Sequence, residues 1–181
     1  VRALTELAIK VAAAVREVNP ETKVVIDDRV DVAAALMAKH HIHGVHIGQD
    51  DLDPRLAREV LGPDAIIGLT TGTLELVENA NDYADVIDYV GAGPFRPTPT
   101  KNSGREPLGL AGYSPLVEAS QVPVVAIGDV RAEDAADLAA TGVAGVALVR
   151  GFMQAADPAA VARQVKQAFT SDATLAPHNA E

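Results

Sequence analysis

Six short apolar runs, each followed by a segment with helical spacing, set the order of this 181-residue chain. The runs are KVVID (23–27), GVHI (44–47), AIIGL (65–69), VIDYVG (86–91), VPVVAI (122–127) and AGVALV (144–149). Helical stretches at 30–40, 54–61, 73–84, 113–119, 132–140 and 157–169 follow them. A further helix opens the chain at 2–18, where Leu4, Leu7, Ala8, Val11, Val15 and Val18 recur at three- and four-residue spacing before Pro20. Strands that are apolar on both faces and alternate with helices dictate a parallel sheet covered by helices, so the class is α/β. No Gly-x-Gly-x-x-Gly turn opens any of these helices, which moves the reading away from dinucleotide binding and toward a (β/α)8 TIM barrel. A chain that begins in a helix lacks the strand that should precede it, and the first two barrel strands are expected to be missing before Val1. Residues 1–169 read as a single, N-terminally incomplete barrel domain, and 170–181, without apolar periodicity, as a flexible tail.

Barrel chemistry sits at the carboxyl ends of the strands. The polar residues of this chain collect there: Asp27 and Asp28, Gln49 to Asp51, Thr70 and Thr71, the loop after residue 91, Asp129 and Arg150. Composition limits what they can hold. With 15 basic against 25 acidic residues the formal charge is −10, which argues against nucleic acid or an anionic membrane as a partner, so an anionic ligand must be gathered by a few local cations. The absence of cysteine excludes disulfides, zinc–thiolate sites and thiol nucleophiles. No leader and no apolar run near the roughly 20 residues of a membrane helix is present, and a cytoplasmic location is expected.

Asp27-Asp28 and Asp50-Asp51 end successive strands. One account is helix capping, for which Asp28-x-x-Asp31 is suited. The other is that the fold aims both clusters at one cavity, where carboxylates without thiols suit a hard cation such as Mg2+ that completes its shell with water and substrate phosphate. The histidines His40, His41, His43 and His46 are read as structural rather than as a zinc site. His40 and His41 fall at a helix end, and His46 alternates with Val45 and Ile47 and so points to the other face of the sheet. The stretch GPFRPTPTKNSGREPLG (93–109) packs four prolines and three basic side chains into one loop. A rigid solvated connection is one reading. The other is a phosphate site made of Thr98, Thr100 and Lys101, since loops of this length are uncommon without a task. IGDV (127–130) and VRG (149–151) end the last two strands, where barrels often bind phosphate. Arg150 suits that role, and Asp129 suits it only when paired with Arg150.

In order, VVIDDRVDVA, GVHIGQDDL, IIGLTTGT, DYVGAGPFRPTPTK, VPVVAIGDV and TGVAGVALVRG resemble the thiamine-phosphate synthase (thiamine-phosphate pyrophosphorylase) family over about residues 23 to 169. GVHIGQDDL followed by DYVGAGPFRPTPTK carries the likeness. The resemblance implies a (β/α)8 barrel that joins 4-amino-2-methyl-5-hydroxymethylpyrimidine diphosphate to a thiazole phosphate, carboxylated or not, and releases diphosphate. It implies Asp28 and Asp51 as Mg2+ ligands, Asp27 at a pyrimidine contact usually made by asparagine, and Thr70 at a diphosphate contact usually made by serine. Thr98 and Thr100 fall at the thiazole phosphate, and Lys101 on the leaving diphosphate; Lys101 and Thr70 are the implied catalytic residues. Asp129, Val149 and Arg150 complete the substrate-binding set, and a homodimer or a larger thiamine-pathway polypeptide is the implied assembly.

The chain departs from the family pattern in several places. The Gln-x-Arg-x-Lys strand and the first strand are absent. Gly128-Asp129 stands for a Gly-Gly turn, Arg150 stands for a serine, and residues 39–43 look inserted on the side away from chemistry. Two other readings stay open at this level. A thiazole tautomerase would need a histidine where Thr73 stands, and a non-catalytic ligand-binding barrel remnant would persist with a partner covering its unpaired sheet edge.

Overall fold

The structure is a computed structural model, described for residues 1–97 and 104–171. Helix α1 (Arg2–Val18) is followed by β1 (Val25–Asp27), α2 (Val30–Met37), β2 (Gly44–Ile47), α3 (Pro54–Leu61), β3 (Ile66–Thr71), α4 (Leu74–Ala80) and β4 (Tyr89–Ala92). Then come α5 (Tyr113–Ala119), β5 (Val124–Ala126), α6 (Ala135–Ala140), β6 (Gly145–Val146), α7 (Arg150–Met153) and α8 (Pro158–Ser171), with short 3-10 turns at 81–83, 110–112 and 132–134. The fold is α/β, and six strands follow one another in chain order in one sheet. Every strand expected from the sequence is present, mostly shorter than its apolar run.

The described chain divides into two compact units. The first holds Val1–Thr70 and Asp82–Tyr89. Within it β1 and β2 pair in parallel with Asp27 opposite His46, and β2 and β3 pair with His46 opposite Gly68. Ile26, Val45, Ile47, Ile67 and Leu69 form its buried sheet core, against Val32, Ala33 and Leu36 of α2 and Ala57 of α3. Helix α3 begins where Asp53 accepts the amides of Arg55 and Leu56 at 2.8 and 3.4 Å. Its Arg58 donates to the carbonyls of Ala65 and Val86, at 2.5 Å for Ala65, tying the helix to the strand entrance.

The second unit holds Thr71–Asn81 and Val90 onward. Here β4 pairs in parallel with β5, and β5 with β6. Its core is built from Val90, Ala92, Phe95, Tyr113, Leu116, Val124, Ala126 and Leu138, and the Tyr113 hydroxyl donates to the Ala92 carbonyl at 3.0 Å. The buried threonine Thr71 donates to the Gly91 carbonyl. Past the last strand, the short helix α7 follows Val149.

Candidate functional site

In the first unit the residues at the carboxyl ends of β1, β2 and β3 are Asp27-Asp28, Gly48 to Asp51, and Thr70. Asp28 turns the chain sharply with φ 62, a left-handed conformation that aspartate tolerates better than most residues. Its amide donates to the His46 carbonyl at 2.8 Å. Asp51 folds back so that its Oδ2 accepts the Gly48 amide at 2.6 Å. Asp51 does not cap the following helix. The N-cap of α2 is Arg29, with no side-chain cap, and Asp31 pairs with Arg29 instead; the cap of α3 is Asp53. The capping account of Asp51 thus gives way, because Asp53 two residues on takes that place. Asp27, Asp28 and Asp51 are all exposed.

Thr70 is placed by a polar chain that includes His46. The His46 ring reaches Thr70 Oγ1 at 2.9 Å through Nε2 and the Tyr89 hydroxyl at 3.0 Å through Nδ1. The His46 and Tyr89 rings stack with centroids 5.4 Å apart. A hydroxyl both donates and accepts, so the two partners satisfy either neutral tautomer of the imidazole. Burial, then the charges of Asp27 and Asp88, push the Tyr89 phenol up to about 12, so it keeps its proton at neutral pH. Gln49 Nε2 donates to the Thr70 carbonyl at 2.6 Å, fixing the same residue from the backbone side.

His46 is thus a satisfied histidine, as read from the sequence, with its partners on β3 and β4. Sequence reasoning grouped it with the other histidines, although its position on the opposite face from Val45 and Ile47 was the signal that separates it. Two other histidines serve the scaffold: His41 Nε2 bonds the Thr22 carbonyl at 2.9 Å, and His43 Nδ1 accepts the Val24 amide at 3.1 Å.

In the second unit the residues past β4, β5 and β6 carry the charge. Asp129 has φ 54, which gives a physical reason for the glycine usual at this place in the family that the sequence resembles: the turn demands a left-handed residue. Its carboxylate receives Arg150 Nη2 at 2.6 Å, so of the two roles open to Arg150 the structure realises neutralisation of Asp129. Val149 is exposed and precedes α7. Arg96 holds both carboxylate oxygens of Asp134 at 2.6 and 2.5 Å. Arg105 donates to the Thr71 carbonyl at 2.9 Å. Neither arginine was singled out from the sequence. Thr98, Thr100 and Lys101 lie outside the described residues.

No group of three or more acidic or histidine side chains suited to a metal occurs among the described residues. A hexahydrated-type ion such as Mg2+ needs only one or two protein carboxylates. The exposed hard oxygens of Asp28 and Asp51 have the right donor chemistry for it, so the residues present fit the ion. No described helix is long and apolar enough to cross a membrane.

Residues 1–152 match the family described as thiamine monophosphate synthase. The chain is 76% identical over 170 residues to a thiamine-phosphate synthase of Corynebacterium jeikeium, covering 94% of this chain and 78% of that one. It is 60% identical over 171 residues to the one of Corynebacterium efficiens, covering 93% and 77%. Among solved structures, a thiamine phosphate pyrophosphorylase from Pyrococcus furiosus superposes with a TM-score of 0.78 at 30% identity, covering 94% of this chain and 77% of that one. With two independent kinds of likeness spanning nearly its whole length, the chain belongs to the thiamine-phosphate synthase family.

Proposed function

We propose that this protein condenses 4-amino-2-methyl-5-hydroxymethylpyrimidine diphosphate with a thiazole phosphate to give thiamine phosphate and diphosphate, on a (β/α)8 barrel of which the six strands described are part. The observation that carries the reading is the 76% identity to a thiamine-phosphate synthase over 170 residues. In the reaction the pyrimidine methylene–diphosphate bond breaks, the electron pair leaves with diphosphate, and the thiazole nitrogen attacks the resulting cation. The work of the protein is to stabilise charge on the leaving group and to hold the two partners in reach of each other.

Asp28 and Asp51 are the residues that would hold Mg2+, which when bound offsets charge on the departing diphosphate. Thr70, oriented by His46 and Gln49, presents its hydroxyl to the same group, and Lys101 supplies the cation. Asp27 lies close enough to Tyr89 to raise its pKa, and it contacts the pyrimidine. Thr98 and Thr100 take the thiazole phosphate, with Asp129, Val149 and Arg150 at the strand ends beside it.

The tautomerase reading loses its footing at Thr73, whose Oγ1 accepts the Leu76 amide at 3.2 Å as the cap of α4. That position has a backbone task in place of an acid–base one.

Incubation of the purified protein with Mg2+ and both substrates should yield thiamine phosphate. Lys101→Ala should lower kcat at least about 100-fold while the fold is retained, as expected when one charge-stabilising donor is removed. Folded wild-type protein that binds both substrates and forms no product would leave the ligand-binding remnant as the correct description.

A further inference from the structure

We propose that Arg96 is a positioning residue for the thiazole-phosphate side of the site, acting through a four-residue charged network that joins the loops after β4, β5 and β6. The inference rests on the functional reading above. The backbone comes first: the amides of Phe95 and Arg96 donate to the carbonyls of Ile127 and Gly128 at 2.9 and 3.0 Å. These bonds carry the β4–β5 pairing past the strand ends and into both loops. The amides of Leu108 and Gly109 return to the carbonyls of Pro94 and Phe95 at 2.8 and 3.1 Å, closing the neck of the 93–109 segment.

The Arg96 guanidinium then makes three further bonds. It grips both oxygens of Asp134 and donates to the Asp129 carbonyl at 3.2 Å, and it lies 4.5 Å from the Phe95 ring centroid. Asp134 is a buried acid, 8% exposed, and its Oδ2 also accepts the Arg131 amide at 2.8 Å. The partner of Arg96 is thereby immobile, and a two-pronged grip on an immobile carboxylate leaves the arginine little freedom.

Arg96 passes that rigidity to Asp129, whose left-handed backbone and carbonyl it holds and whose carboxylate holds Arg150 at 2.6 Å. Two arginines and two aspartates cancel, so Arg150 meets an incoming phosphate only in competition with Asp129. How readily it does so depends on where Arg96 keeps that aspartate. Arg96 also stands two residues before Thr98, at the start of the segment that carries Lys101.

The test uses the full-length enzyme, assayed well below its melting temperature, with Arg96→Lys, which keeps the charge and loses the two-pronged grip, and Arg96→Met. Both should raise KM for the thiazole phosphate about tenfold with kcat changed less than about threefold, a loss of binding geometry and not of transition-state contacts. Calorimetric titration with thiazole phosphate should show the same weakening without turnover. The pair Arg96→Met/Asp134→Leu should recover thermal stability and keep the raised KM. That outcome separates positioning from a structural role, since a purely structural ion pair would be replaced without kinetic effect. Should Arg96→Met fail to fold, Arg96→Lys and the double variant carry the test. An unchanged KM in any folded variant, with wild type active, overturns the positioning role alone. A wild type that neither binds nor turns over the thiazole phosphate overturns the functional reading, and this inference with it.

Discussion

Gly68 is the residue that makes room for the His46–Tyr89 pair, and replacing it tests how that pair is held. A Cβ at Gly68 would lie 2.2 Å from Tyr89 Cζ, 2.5 Å from its hydroxyl oxygen and 2.4 Å from His46 Nδ1. Non-bonded carbons settle near about 3.5–4.0 Å, so in Gly68→Ala the phenol must retreat by more than about 1 Å. The Tyr89–His46 hydrogen bond of 3.0 Å does not survive that shift. Losing it costs about 1 kcal/mol and the overpacking about 1–3 kcal/mol more, giving roughly 2–4 kcal/mol in all. For a chain of this size each kcal/mol is about 2–4 °C, so thermal unfolding followed by circular dichroism should show a fall of roughly 4–16 °C. The decisive measurement is the same substitution in a Tyr89→Ala background. With the phenol gone, His46 can turn into the freed space, and adding the methyl should cost less than about 0.5 kcal/mol, a coupling of at least about 1.5 kcal/mol. Equal costs in the two backgrounds would show that the ring contact is not why the position is glycine.

Asp28→Gly should separate strain from chemistry. Relief of the left-handed aspartate should leave the melting temperature unchanged or raise it by a few degrees, while Mg2+-dependent turnover falls at least about 100-fold. A stable variant with full turnover would remove Asp28 from the metal site. The second further prediction concerns acid. Burial pushes the Asp134 carboxyl up, but hydrogen bonds from Arg96 and the Arg131 amide, with the charges of both arginines, outweigh it and hold the group below its ordinary value. A carboxyl depressed on folding adds stability that is complete above its unfolded value of about 3.9 and is lost as pH falls through the folded one. Asp134→Asn should therefore be less stable than wild type at neutral pH, with the gap beginning to close only as pH falls from about 4 toward the folded value. Parallel stability curves through that range would refute the linkage.

Much of the fold was legible because periodicity and strand composition agree along most of the chain. The Leu-Ala-Val spacing of 2–18 gives α1 with the bounds read from it, Arg2–Val18, and Asp53-Pro54 marks the start of α3 where the structure has it. Strand ends were less legible. AGVALV was read as six residues of strand, and only Gly145–Val146 pair as strand, because the partner β5 ends at Ala126, whose carbonyl accepts the Ala147 amide. Helix α2 stops at Met37, short of the histidines, since the amides of Lys39 and His40 already bond back to the Leu36 carbonyl in a closing turn. The aspartates drew notice because two carboxylate clusters fall at equivalent ends of successive strands. The roles of His46, Arg96 and Arg105 were not visible, because each is defined by partners at least 24 residues away, and a single histidine or arginine carries no pattern of its own. Asp129 was flagged as an electrostatic problem, and its left-handed backbone, which sequence alone does not display, explains why so few residue types fit there.

The two left-handed aspartates, Asp28 and Asp129, bear on how this protein can be engineered. Aspartate and glycine codons differ at one base, so at both positions a single nucleotide change reaches the residue that the backbone angle prefers. A library selected for heat resistance alone should collect glycine at 28, and at 129 only where relief of the left-handed backbone outweighs the lost ion pair with Arg150. Screening for product alongside survival would show which of the two acids the reaction needs.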